Sequence, residues 1–258
     1  MLALHGWLDN AASFDGLVPL LGDELCVAAL DLPGHGKSQW RQAADSYHFI
    51  DWVDVVLQAA EALGWEEFSI LGHSMGAAIA SLVAPVAPDS IERMVFLDGI
   101  GPWSQSPDEV VEQLQRALGE ERVLSDGQRR RYESVDEMLD AMGRARKDVS
   151  RDRLRLLLKR GAQRGKDGRW GFTHDRKLQA TSRIRLTEEQ VLAFLEGIAC
   201  PVLLMRPRWG WPVEEETVER RLAAVEDLEV VEIEGGHHVH LEAPERVADA
   251  VRRFLKGE

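Results

Sequence analysis

A serine hydroxyl becomes a useful nucleophile when a neighbouring base takes its proton and fixed N–H groups meet the negative charge that develops. This sequence carries parts for each role. Gly72-His73-Ser74-Met75-Gly76 follows directly on the apolar run Phe68-Ser69-Ile70-Leu71 and directly precedes an Ala-rich stretch. A serine on such a strand-to-helix turn takes a strained backbone conformation, and its flanking glycines avoid collision with neighbouring backbone. The turn pushes the hydroxyl of Ser74 out of the sheet and sets it beside a helix N-terminus, whose unpaired N–H groups favour anionic charge. In an arbitrary loop the same letters would mean little; with both flanks in place they mark Ser74 as a nucleophile.

The base must come from elsewhere in the chain. Gly235-Gly236-His237-His238-Val239-His240 follows the last strand-like run, and His237, directly after the glycine pair, can be carried over a sheet edge by a flexible loop. His238 and His240 read as packing or hydrogen-bonding residues. A zinc site here lacks any carboxylate or thiol at a recognisable partnering spacing, so neither a metal nor a cofactor is expected. Near the start, His5-Gly6-Trp7 follows the short apolar stretch Leu2 to Leu4. Alone it would be a turn. With Ser74 downstream in the proper order, the N–H groups of Trp7 and Met75 become an oxyanion-hole pair.

The elements that must position these residues are written in the periodicity. Short apolar runs at Leu25–Leu30, Phe68–Leu71 and Met94–Leu97 alternate with helical stretches near Phe49–Leu63 and Met75–Ala87. That alternation predicts a largely parallel sheet covered on both faces. From Gly101 to about Gly197 the strand signals vanish, replaced by Arg-rich helical segments such as Glu109–Leu118 and Asp152–Arg160. Pro201–Met205 and Leu228–Ile233 restore the strand pattern, and Pro244 opens a last helix with Val247, Val251, Phe254 and Leu255 on one face. The expected organisation is an α/β core of residues 1–101 and 198–258 interrupted by a helical insertion over 102–197.

Composition narrows the partners. The 258 residues are 45% hydrophobic, enough for a full core, and carry a formal net charge of −13. That charge argues against general affinity for nucleic acid or an anionic membrane. No apolar run is long enough to span a membrane and no signal peptide is visible, so a cytoplasmic chain is expected. Cys26 and Cys200 are expected to be buried thiols rather than a disulfide framework. Between Arg116 and Arg185 stand 20 Lys and Arg against 11 Asp and Glu, a local charge of +9. Two readings of this excess stay open: ordinary solvated helix faces, or a field that draws an anionic small-molecule substrate. Oligomeric state is not written in these features.

With these pieces assembled, the chain resembles the α/β-hydrolase superfamily over nearly its whole length. The matching segments are His5-Gly6-Trp7-Leu8-Asp9-Asn10, Asp31-Leu32-Pro33-Gly34-His35-Gly36-Lys37-Ser38, the Ser74 turn and the His237 loop. Within the superfamily it is most similar to the serine hydrolase-like proteins, through the opening His-Gly-Trp-Leu-Asp-Asn, Leu97-Asp98-Gly99 and His237-His238-Val239-His240. The resemblance implies a sheet core, a helical cap and a pocket between them. It leaves the bond open among esters, amides, thioesters and carbon–carbon bonds. Haloalkane dehalogenases and epoxide hydrolases of the superfamily attack with a carboxylate where this chain has Ser74, so those two reactions are not expected.

Two departures from the family pattern stand out. The usual carboxylate after the strand Pro201–Met205 is missing: the segment reads Arg206-Pro207-Arg208-Trp209-Gly210-Trp211, with Gly210 at the equivalent place. Asp98, ending the Met94–Leu97 run, followed by Gly99 and lying between Ser74 and His237 in chain order, is the expected acid. Glu214, Glu215 and Glu216 are the reserve, and capping of the following loop is the alternative role for Asp98. The second departure is the abrupt start, since relatives place two further strands before the His-Gly loop. N-terminal strands are therefore expected to be missing, with Leu25–Leu30 left as an unpaired edge. The expected chemistry is cleavage of an ester or related acyl bond through a Ser-His-Asp triad and an acyl-enzyme. A carbon–carbon bond hydrolase with the same residues, or a non-catalytic binding protein on the same fold, are the alternatives.

Overall fold

The computed structural model describes residues 1–42 and 45–257. Six strands form one parallel sheet: β1 (Leu2–Leu4), β2 (Ala28–Leu30), β3 (Phe68–His73), β4 (Ile91–Leu97) and, after an interruption, β7 (Val202–Trp209) and β8 (Leu228–Gly236). Their order is β2-β1-β3-β4-β7-β8. The interruption holds a separate antiparallel pair, β5 (Ala162–Arg164) and β6 (Trp170–Phe172).

Alternate residues of each central strand enter opposite apolar layers, as the period of a pleated strand requires. Leu2 and Leu4 of β1, Phe68 and Ile70 of β3, Met94 and Phe96 of β4, and Val202 and Leu204 of β7 face one layer. There they meet α1 (Asp51–Ala62) and α2 (Met75–Val86). Ala3, Leu71, Val95, Leu97, Leu203 and Met205 face the other layer, filled by Phe14, Leu17 and Leu21 and by the final helix α9 (Pro244–Lys256). Burial on both faces is why the central strands read as continuous apolar runs. Fully burying each such side chain contributes about 1.5–3 kcal/mol.

The interrupting segment contributes α3 (Val110–Asp126), α4 (Val135–Ala145), α5 (Arg151–Gly161) and α6 (Glu188–Glu196). The first part has its own apolar cluster, in which Tyr132, Met138, Leu139, Met142, Leu154 and Leu157 pack together. In contrast, α6 buries Val191 and Leu195 in the first sheet layer, so by packing it belongs with the helices that cover the sheet. It sits beside α7 (Glu215–Ala224), whose buried Arg221 bonds Glu188 at 2.7 Å.

Three sequence expectations shift. Cys26, expected to be buried, is exposed, whereas Cys200 is buried. The stretch expected to lack strands contains the β5–β6 hairpin, closed by the turn at Gly168 with φ +78°. Its strands are only three residues long and carry polar Gln163 and Arg164, so no apolar run announced them. Leu25–Leu30 is a strand only over Ala28–Leu30, because β1 offers just three residues to pair with, and this strand does form one edge of the sheet. The carboxyl ends of β3, β4 and β8 gather on one side, where a short helix α8 (Val239–Glu242) follows β8.

Candidate active site

Between β3 and α2 the chain turns on one residue, Ser74, with φ 51° and ψ −112°. A non-glycine residue held there costs about 1–3 kcal/mol, so the surroundings must over-determine it. The Ser74 amide donates to the Leu97 carbonyl at 2.9 Å, and the Ser74 carbonyl accepts from Ala78 at 3.0 Å. A Cβ on Gly76 would lie 2.0 Å from the Leu4 carbonyl oxygen, and one on Gly72 would lie 2.5 Å from the Ala77 amide. Both glycines are therefore steric requirements of the turn.

At the end of β4, Asp98 is a second non-glycine residue at positive φ, 50°. Its carboxylate accepts from Nδ1 of His237 at 2.5 Å and from the Trp211 amide at 2.8 Å, both at Oδ2. That bond puts the ring proton on Nδ1 and leaves Nε2 of His237 as the free acceptor. Gly210 explains how Asp98 can stand there, because a Cβ at 210 would lie 2.3 Å from Oδ1 of Asp98. Where the family pattern has its acid, this chain has a vacancy that the carboxylate of Asp98 fills. The adjoining Gly99 runs against the Ser74 corner, since its Cβ would fall 3.3 Å from Cα of Ser74. Arg221 donates to the Ile100 carbonyl at 2.9 Å and steadies the same turn.

Ser74, Asp98 and His237 are thus brought to one end of the sheet. The reserve carboxylates are elsewhere: Glu215 faces Arg206 at 3.4 Å, and Glu214 and Glu216 are exposed at the start of α7. Met75 is the first residue of α2, so its N–H has no partner inside the helix. Trp7 lies in a tight turn closed by the Asp9 amide on the Gly6 carbonyl at 3.1 Å, with Leu8 at φ 59°. Its indole donates to the Leu178 carbonyl at 2.8 Å, and Trp211 stands with its ring centroid 5.3 Å from His237.

Sequence reasoning missed the residues that brace this arrangement. His73, inside the turn motif itself, donates from Nε2 to the His237 carbonyl at 2.9 Å and so fixes the backbone of the base. Gly6 makes room for that ring, since a Cβ there would lie 2.7 Å from Nδ1 of His73. Asp9 is buried, pairs with Arg146 at 2.7 Å and approaches Nε2 of His238 at 3.9 Å. The opening motif contained Asp9, but nothing in it disclosed a partner 137 residues away. His240, as expected of a packing residue, is buried with Nε2 2.7 Å from the Ser13 hydroxyl.

Burial governs the protonation of the neighbouring imidazoles. It drives His73 well below its ordinary pKa, with His240, His237 and His238 adding to the effect, and it brings His240 down to about 3. These rings are neutral at pH 7 and serve as fixed hydrogen-bonding parts. Burial pushes the Asp9 carboxyl up, yet Arg146 and the nearby histidines outweigh it and leave Asp9 below the usual carboxylate range.

Known proteins share this architecture. A family model described as alpha/beta hydrolase fold matches residues 1–244. A serine hydrolase-like protein of Dictyostelium discoideum is 32% identical over 100% of this chain and 75% of its own length. Its counterpart in Danio rerio is also 32% identical, over 100% of this chain and 82% of its own. Among solved structures, a hypothetical protein of Pseudomonas aeruginosa PAO1 superposes with a TM-score of 0.90 at 37% identity, covering 98% of this chain and 89% of that one. With the parallel sheet, the strained serine corner and a match along nearly the entire sequence, the chain belongs to the α/β-hydrolase fold family and is a hydrolase.

Proposed function

We propose that the protein cleaves an ester or related acyl bond through Ser74, His237 and Asp98. His237 Nε2 takes the Ser74 proton as the hydroxyl attacks the substrate carbonyl, and the amides of Trp7 and Met75 receive the oxyanion. The protonated imidazole then gives its proton to the leaving group, and water, deprotonated by His237, releases the acyl group from Ser74. Asp98 holds the ring tautomer and balances the imidazolium. One observation carries this reading: His237 and Asp98 meet at 2.5 Å across 139 residues, beside the strained Ser74 corner. A buried-edge aspartate at positive φ, admitted by a glycine, is an arrangement with a cost and needs a return.

The segment 102–197 then acts as a cap, with residues up to the Arg176–Gln179 turn roofing a pocket for a small-molecule substrate and α6 anchoring it to the sheet. Labelling with a fluorophosphonate followed by mass mapping tests the assignment. The adduct is expected on Ser74 and lost in Ser74→Ala, which removes only a hydroxyl. Labelling retained in that variant, or none in the wild type, defeats the reading.

A further inference from the structure

Next to the Trp7 turn lies a cavity of about 440 Å³ between the core and the helical block. Arg129, Arg130, Arg144, Arg146 and Arg176 line it, together with His174. Among the described residues Asp9 is the one carboxylate on its wall, and Arg146 already holds it at 2.7 Å. Among the described residues, no carboxylate stands within ion-pairing reach of Arg129, Arg130, Arg144 or Arg176.

Two of these guanidinium groups are nevertheless oriented. Arg129 donates to the carbonyls of Phe172 and His174 and stacks over the Trp40 ring at 3.9 Å; Arg176 donates to the Gly127 carbonyl. Burial lowers the pKa of Arg129, Asp175 opposes that, and the neighbouring Arg131 and Arg176 add to the lowering. Burial also brings His174 down to about 4, so at neutral pH it is a neutral imidazole that can complete a hydrogen bond. Planar, multiply donating cations around a void, two of them fixed, suit an oxyanion, which would relieve their mutual repulsion. The place is informative too. Leu8, on the cavity wall, directly follows Trp7, and Asp9 on the same wall touches His238 beside the base.

We propose that this cavity binds an anionic group of the substrate, a carboxylate or a phosphate remote from the scissile acyl bond; the substrate part of this claim rests on the serine-hydrolase reading above. The protein selects acyl compounds that carry a negative charge at their far end. Arg130 and Arg144, both exposed and outside the reaction machinery, supply part of that recognition.

The test has a binding arm and a kinetic arm. Calorimetry with glutarate and, separately, inorganic phosphate is expected to detect at least one of them, the pair identifying the preferred oxyanion. Binding is expected to weaken by about tenfold or more in the double variant Arg130→Gln with Arg144→Gln, as loss of charge-assisted bonds implies. An unchanged melting temperature verifies its fold, and the single variant Arg144→Glu repeats the measurement if the double variant melts early. In the kinetic arm, 4-nitrophenyl monoesters of succinate, glutarate, adipate and suberate, and phosphorylated acyl esters, are compared with neutral esters of equal length. The wild type should prefer at least one anionic ester by about tenfold in kcat/KM, and the double variant should lose that preference while keeping its rate on the neutral ester. No binding of either anion, binding unaffected by the variants, or turnover of the esters with no preference for the anionic ones overturns the proposal. If no ester is turned over but the anions bind in an arginine-dependent way, the serine-hydrolase reading falls and the anion site stands. Cleavage of neutral esters with no anion binding does the reverse.

Discussion

The sheet core and the helical block above it are held in place by different forces. In the core, β3, β4 and β7 are sandwiched between two apolar layers, and almost every inward side chain is hydrocarbon. The block has a small apolar cluster of its own, and among the described residues Leu241 of α8 is the one core side chain buried in it. Leu178 and, through α6, Val191 and Leu195 anchor it in the first sheet layer, while its seat near the candidate site is polar. Arg146 reaches Asp9 at 2.7 Å, Arg160 reaches Asp31 at 2.6 Å, and the Asn10 amide donates to the Leu157 carbonyl at 2.9 Å. Apolar burial is non-directional and is not screened by salt, whereas these contacts depend on charge and geometry. The residues proposed for chemistry stand on the rigid side, and the polar seat touches them through Asp9, His238 and His73.

The largest effect should separate chemistry from both regions. Asp98→Asn is expected to lower kcat by about 10⁴-fold, the scale seen when a triad carboxylate loses its charge, with little change in melting temperature. Gly210→Ala should do similar damage, because its Cβ displaces the Asp98 carboxylate, while Glu214→Gln, Glu215→Gln and Glu216→Gln stay near wild type. If one of those glutamates silences the enzyme and Asp98→Asn does not, the acid has been misassigned.

Next come two substitutions that set the regions against each other. Arg146→Gln leaves the Asp9 charge buried without its partner and should cost about 3–5 kcal/mol, and combining it with Asp9→Asn should recover part of that loss. Leu204→Ala in the core should cost about 2–5 kcal/mol with no such rescue by a neighbouring polar change. Urea unfolding measures both. Full additivity in the Arg146 and Asp9 pair would mean the seat is not electrostatic.

Acid should loosen the molecule through its buried histidines. His5, His35, His73, His174, His238 and His240 all have pKa values below 6.5 in the fold, chiefly because burial disfavours their charged forms. The unfolded chain binds protons near pH 6.5 that the folded chain does not. Their contribution is therefore fully present above about pH 6.5 and is lost as the pH falls below it, by about 1.4 kcal/mol per pH unit for each group. His240→Asn should flatten that slope by roughly one proton, read from urea midpoints between pH 7.5 and 5. The smallest expected effect is Arg160→Gln: Asp31 is buried but keeps the Ala11 and Lys37 amides as donors, so the loss should fall below that of Arg146→Gln and shrink as salt is added.

What the sequence determined by itself is what local chemistry writes. A strand buried on both faces must be a continuous apolar run, so Phe68–Leu71, Met94–Leu97 and Pro201–Met205 were readable as a parallel core. A serine corner needs small neighbours, so Gly72 and Gly76 marked it, and the Gly235-Gly236 pair pointed to His237. Chain order and a following glycine even singled out Asp98. The tertiary structure alone decided the pairings between distant residues. That Gly210 is empty in order to admit Asp98, that His73 holds the His237 backbone, and that Asp9 waits for Arg146 are contacts across 112, 164 and 137 positions. The excess of arginines was countable in the sequence, but which of them lack a carboxylate among the described residues was not. Charge pairing is settled by distances in space, and a one-dimensional pattern records burial and turns far better than it records partners.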